Sequence, residues 1–516
     1  MKHPTNSTAN HFKAKQPILP SFLLDYPDHC GRCWSSTDFG REHGSMFLRR
    51  QGATGFSPHE QETGSEQRDL PGQRDFKEWS CVGGGHEGER NMKKIFFGIG
   101  LMVGLILMLL SARNPVEKAD FIREVLPEHD GFASEGRGTT GGADAVRQNI
   151  VNVTNKKEFI AALGTRNNTE PKILMLYGTI DFDADDQGKP LKMEDYMADG
   201  YDFQNYLEAQ APQSSAPKRL KEDQEAKRKQ SQKNQAENIT VHVPANTSIV
   251  GIEHAALKGI DLIIDADNVI IRNILFESPY DYFPAWDPKD GKEGNWNSQY
   301  DCISIKGGTH IWIDHCHFRD GPETAETYFD RKYEHRDGLV DITDQSDYIT
   351  LSYNIFEHHN KAILIGNSDS KLEDEGKLNV TLHHNYFHDL VQRAPRVRFG
   401  KVHLYNNYYR SDNKSGEYRY SYSLGVGKGS KIYAESNVAD IEGGDYKDFV
   451  KVFGGKELTT VHNRFNGREI AAFDDGLTEV DWTPELYDGI DAVNEVKEEV
   501  LNHAGVWKDT KDTMER

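Results

Sequence analysis

The chain has 516 residues and a formal net charge of -21, with 82 acidic residues against 61 basic ones. This length accommodates one large domain with additions, and the acidity excludes nucleic acid or an anionic membrane surface as the main partner, since both would be repelled over long range. Of five cysteines, only Cys302 and Cys316 fall in the part that reads as a folded domain, so disulfides are not its main staple; Cys30-x-x-Cys33 lacks a second pair at metal spacing and is assigned no function, as is Cys81.

Residues 1–91 carry mixed charge, many glycines and no convincing periodicity. Met92-Lys93-Lys94, the apolar run Ile95 to Leu110 and the small pair Ser111-Ala112 then form a charged start, a hydrophobic stretch and a small-residue exit. That pattern is expected to be a signal peptide over 92–112, the alternative being an internal membrane anchor, since an apolar run of this length approaches what crosses a bilayer. Translation is therefore expected to begin at Met92, with 1–91 an upstream extension, 113–128 a polar linker and 129–516 the functional domain. A secreted, extracellular protein without stable membrane association after cleavage follows from that reading.

Two insertions come next. Within Glu194 to Asn238, the Lys-, Glu- and Gln-rich run Lys218 to Gln235 is expected to be a solvated helix on a long loop. Asp281 to Gln299 is a second long loop whose Tyr282, Phe283, Trp286 and Trp296 either stack on sugar rings or pack on the body; the sequence leaves both open.

From about Gly131 onward the chain repeats a short alternating strand, a Gly or polar bend, a second strand, and an Asn followed by an aromatic. The bends Gly307, Asp344, Gly366, Gly400, Gly427 and Gly454 lie 22 to 37 residues apart. Periods of this size mark a solenoid or a propeller, and the shortest leaves no room for a four-stranded blade. An all-β, single-stranded parallel β-helix with long loop insertions is predicted. Asn354, Asn385, Asn407, Asn437 and Asn463 are then a hydrogen-bonded column at one bend, with Cys316 a buried thiol in the same slot one coil earlier. His315, His358, His359, His383, His384 and His388 are read as turn or packing residues around those asparagines.

The functional residues all precede the first bend of their coil. Asp301, Asp337 and Asp341 are a carboxylate group suited to a hard cation with oxygen ligands. Lys361 follows one coil on, and the stretch Val391 to Gly400 brings together Arg393, Arg396 and Arg398. Successive strands stack about 4.8 Å apart, so these side chains should climb one sheet from an acidic end to a basic end. Cation, arginines and an acidic protein body together point to chemistry on an acidic polymer held locally.

With Gly138-Thr139-Thr140-Gly141-Gly142, Trp312-Ile313-Asp314-His315, Asp337-Gly338-Leu339-Val340-Asp341 and Arg393-x-Pro395-x-x-Arg398, the chain from about Gly131 resembles the pectate lyases of polysaccharide lyase family 1, especially the secreted Bacillus type. The resemblance implies a right-handed parallel β-helix acting as a monomer on polygalacturonate. It implies Ca2+ held by Asp301, Asp337 and Asp341, with Arg393 abstracting the C5 proton and Lys361 and Arg398 on substrate carboxylates. Guanidinium is an unusual base because it stays protonated in most proteins, so an alkaline optimum goes with this assignment. Gln299 stands where some members carry a further acidic residue, and a second calcium relying on it is not implied. Alternatives are a pectin lyase, which by resemblance lacks the calcium aspartates, and a non-catalytic polysaccharide-binding β-helix. A polygalacturonase would need paired carboxylates without a cationic base.

Overall fold

The computed structural model describes residues 121–473 and 476–507. The expected signal segment and upstream extension lie outside this range. Almost all of the described strands fall into three parallel ladders, each coil contributing one strand to each. The first ladder includes Asp261–Ile264, Ile303–Lys306, Gly338–Thr343, the end of Ile355–Ile365, Arg396–Val397, Leu424–Gly427 and Val450–Phe453. The second includes Val269–Arg272, Thr309–Asp314, Asp347–Ser352, Asn379–His383, Lys401–Tyr405 and Lys431–Glu435. The third includes Leu275–Glu277, His317–Arg319, the start of Ile355–Ile365, Tyr386–Gln392 and Tyr408–Ser411. This is the predicted parallel β-helix.

Stacking like on like fills the interior. Ile303, Val340 and Ile363 share a level of the first ladder, and all are fully buried. In the third ladder Phe276, Phe318, Phe356, Phe387 and Tyr409 stack with centroids 4.7 to 5.3 Å apart. Offset aromatic stacking at one coil's rise adds to the area each ring removes from water.

At the bend after the second ladder, the Oδ1 of Asn385 accepts from both the backbone N and the Nδ2 of Asn354 at 3.0 Å. The pattern repeats from Asn385 to Asn407, Asn407 to Asn437 and Asn437 to Asn463. Cys316 occupies the next slot, its backbone N donating to Asn354 Oδ1 at 2.9 Å, and its thiol is buried and free. Each amide satisfies buried donors of the bend that would otherwise cost 1–3 kcal/mol apiece.

One expectation changes and one open choice is resolved. The helix Lys218–Ile239 forms, but it is not solvated all round: Gln224, Arg228, Ser231, Gln232 and Gln235 are buried. Its polar face satisfies the second insertion, with Arg228 Nη1 donating to Phe283 O at 2.6 Å and Gln232 Nε2 to Asp281 Oδ2 at 2.8 Å. A helix can be buried by hydrogen bonding as well as by an apolar stripe, and hydropathy does not register this. In the loop itself Phe283 and Trp296 are fully buried, and Trp286 packs on Trp296 at 5.0 Å, so the open choice resolves to packing. Of the stretch expected as linker, residues 121–128 are described; Ile122 and Leu126 are buried against the body.

Candidate active site

The site is produced by a break in strand alternation. In an ideal strand neighbouring residues face opposite ways. At the start of three first-ladder strands, however, two consecutive residues enter the core: Cys302 and Ile303, Leu339 and Val340, Ala362 and Ile363. The residue just before each pair is thereby turned outward, giving a column of Asp301, Gly338 and Lys361. Gly338 is in register with Lys361 and Lys361 with Gln392; one residue is then gained before Leu364 pairs with Arg396, which leaves Arg393 beside the column at the slip. Three residues further on, Ser304, Asp341, Leu364 and Arg396 form a second outward column.

The two columns bring the carboxylates of Asp301 and Asp341 together, while Asp337 precedes the strand. A Cβ on Gly338 would lie 2.5 Å from Asp341 Oδ1 and 2.8 Å from Asp301 Oδ1, so only glycine leaves room for both oxygens. Asp301 accepts from Gly338 N at 2.8 Å and from Ser304 Oγ at 2.6 Å. Burial, then the Asp337 charge, push its carboxyl up to about 7. Asp341 is likewise raised well above the carboxylate range by burial and by Asp301 and Asp337, against a smaller opposing pull from Arg393. Its Oδ1 accepts only a long bond from Leu364 N, 3.3 Å.

Lys361 Nζ sits between Asp337 Oδ1 at 3.1 Å and Glu334 Oε2 at 2.7 Å. Against burial, which favours the neutral amine, those two carboxylates hold its ammonium above the ordinary lysine range. His359 is fully buried, and its Nε2 hydrogen-bonds to Asp337 O at 2.6 Å while Nδ1 meets Asp320 Oδ1 at 2.6 Å. It therefore fixes the backbone of Asp337; it does not sit at an asparagine bend.

At the basic end, Arg393 has φ 63°, a left-handed conformation uncommon for a side-chain-bearing residue and found preferentially at functional sites. Neighbouring coils over-determine it. Ile363 N donates to Arg393 O at 2.7 Å and Ala394 N to Ser423 O at 2.8 Å. The buried Nε of Arg393 has no hydrogen-bond partner. Arg398 is aimed by Asp369 Oδ1, 2.7 Å from its Nε, and by Gly366 O, 2.9 Å from Nη1. Arg396 lies over the Phe453 ring at 4.0 Å, and burial together with Arg398 and Arg393 lowers its affinity for its proton.

All six residues expected from sequence thus lie on or immediately beside the strands of the first ladder. Sequence reasoning missed Glu334, Asp369 and His359 as supports, and Gly338 as the space between carboxylates; the D-G-x-x-D spacing was the only available signal for the last. The donor set suits a hard divalent cation: oxygen-only, with a buried Asp301 and a half-buried Asp341 that no cationic side chain neutralises by direct contact.

Fold and site together define a parallel β-helix protein of the polysaccharide lyase class. A family model described as pectate lyase matches residues 220–509. The chain is 47% identical to a pectate lyase of Bacillus subtilis over 424 residues, spanning 81% of this chain and all of that one. It is 33% identical to pectate lyase A of Dickeya chrysanthemi over 73% of this chain and 88% of the relative. A solved mutant of the Bacillus subtilis enzyme superposes with TM-score 0.72 at 47% identity, covering 75% of this chain and 99% of that one. A pectate lyase solved with a bound hexasaccharide gives the same score, identity and coverage. The chain belongs to the pectate lyase family.

Proposed function

We propose that the protein cleaves α-1,4-linked polygalacturonate by calcium-dependent β-elimination, leaving 4,5-unsaturated oligogalacturonides. The observation that carries this reading is the order along one face: clustered carboxylates, then Lys361, then Arg393 and Arg398, a cation site adjoining an anion site at the spacing of successive coils. Asp301, Asp337 and Asp341 would hold the ion. When bound, Ca2+ supplies charge that neutralises the substrate carboxylate and makes the adjacent C5–H more acidic.

Lys361, kept protonated by its neighbours, and Arg398, aimed by Asp369, bind substrate carboxylates and fix the uronate ring. Arg393 takes the C5 proton. The C–H electron pair becomes the second bond of the C4–C5 double bond, the C4–O4 bond breaks, and O4 departs with the electron pair of that broken bond to be protonated by solvent. Charge that develops on the carboxylate during proton loss meets cations already in place, with no reorganisation needed at that moment.

The setting is extracellular, with residues 92–112 removed, and the protein works as a monomer without membrane or nucleic acid. Among the described residues no helix is long and apolar enough to cross a membrane. Ultraviolet absorbance of unsaturated uronide from polygalacturonate at alkaline pH, with calcium or chelator, tests the reading. Calcium-dependent absorbance is expected; absorbance that survives chelation would point to pectin-lyase-like chemistry, and absence of turnover with binding retained to a non-catalytic carbohydrate-binding β-helix.

A further inference from the structure

The strands that carry Lys361 and the Arg393 approach run side by side before they reach the active face, with Glu357 in register with His388, His359 with Leu390 and Lys361 with Gln392. On their outer surface, in the third ladder, Glu357, His358 and His388 each present a ligand atom within 4.8 Å of the others. We propose that these three residues form a binding site for a borderline-soft divalent metal ion of the Zn2+ type, distinct from the oxygen-only aspartate site.

The distances fit a metal site, although one contact, His388 Nδ1 with Glu357 Oε2, is also within hydrogen-bond reach. One oxygen, Glu357 Oε2, lies 3.3 Å from His388 Nδ1 and 3.5 Å from His358 Nδ1. Charge-assisted hydrogen bonds are shorter, about 2.7–2.9 Å. A tetrahedron with metal–ligand bonds of about 2.0–2.1 Å has edges of about 3.3–3.4 Å, which matches. The other carboxylate oxygen is tied at true hydrogen-bond length, Oε1 to His317 Nε2 at 2.8 Å, so the glutamate is oriented from behind. Asp389 Oδ2 faces the far nitrogen of both imidazoles, 3.3 Å from His388 Nε2 and 3.8 Å from His358 Nε2. At these separations Asp389 is not yet hydrogen-bonded to both rings but is placed to close on a distal nitrogen when an ion binds, the support that metal-bound histidines commonly have.

The backbone is adapted to this arrangement. His358 and Asp389, at equivalent positions of successive coils, both take left-handed φ, 49° and 48°. Two histidines and a glutamate leave a fourth position for water. The ion would clamp two adjacent coils just before they deliver Lys361 and Arg393.

The test uses the full chain in excess Ca2+, which saturates hard oxygen sites, with Co2+ as the probe. Visible d–d bands of tetrahedral Co2+ at one equivalent are expected, displaced by Zn2+. The double variant His358→Gln/His388→Gln should lose them while keeping a folded far-UV dichroism spectrum, and Glu357→Gln, nearly isosteric and still able to meet His317, should weaken Co2+ at least about tenfold. Zn2+ should raise the thermal midpoint of the wild type but not of the double variant. Bands that persist unchanged in the double variant, or none in the wild type, would overturn the proposal.

Discussion

Replacing Asp301 by Asn should stabilise the calcium-free protein at alkaline pH while abolishing its calcium response. Burial and the neighbouring Asp337 push Asp301 from the ordinary aspartate range up to about 7. A raised carboxyl favours the folded state fully only below the unfolded value; that contribution is lost as pH rises through the folded value. Above pH 7 the shift of roughly three pH units corresponds to a cost on the order of 4 kcal/mol, and water penetration and relaxation bring the expected gain to about 2–4 kcal/mol. Asn retains the geometry, since its oxygen can accept from Gly338 N and its amide can donate to Ser304 Oγ. Denaturant midpoints in chelator should therefore favour Asp301→Asn at pH 8.5 and converge with wild type near pH 4. Added calcium should raise the wild-type midpoint and leave the variant unmoved. A variant less stable than wild type in chelator at pH 8.5 would refute the idea that these carboxylates are held against their own repulsion.

Arg393→Lys should lower kcat at least about 10²-fold with substrate binding retained, because a shorter point charge neither reaches nor replaces the guanidinium; unchanged turnover removes Arg393 from the chemistry. Wild-type rate should rise into the alkaline range, and a bell-shaped optimum in mild acid contradicts an arginine base. Gly338→Ala places its Cβ 2.5 Å from Asp341 Oδ1, so half-saturating calcium should increase about tenfold or more in an activity titration, and an unaltered calcium dependence would show that the carboxylates do not share that space. Asn385→Ala strands the two donors of Asn354 and the carbonyl of Leu351; it should cost about 2–4 kcal/mol in urea unfolding without altering kcat at saturating calcium. A cost below 0.5 kcal/mol would mean that the asparagine column is decorative.

What the sequence made legible was whatever recurs. The Gly and Asn bends repeat because each coil must turn at the same two places, and a repeated polar residue in a buried turn has few roles besides satisfying backbone. Glu334 and Asp369, in contrast, lie on irregular stretches between strands, where no period announces which carboxylate will meet Lys361 or Arg398. The histidines were misplaced for a related reason. His315 and His384 do adjoin the asparagine column, but His358, His359 and His388 belong to the strand after it, and spacing from the nearest asparagine differs by only a few residues between the two cases. One feature of the site runs against pattern reading altogether. Plain alternation would place Asp301 on the same face as Ile303, inside the helix. The paired burial of Cys302 with Ile303, repeated by Leu339 with Val340 and Ala362 with Ile363, reverses that and sends the preceding residue outward. The acid-to-base column thus exists because three coils depart from alternation at one level. The departure persists because each inward pair stacks on the pair of the next coil, so core packing supplies the stability that the crowded carboxylates do not.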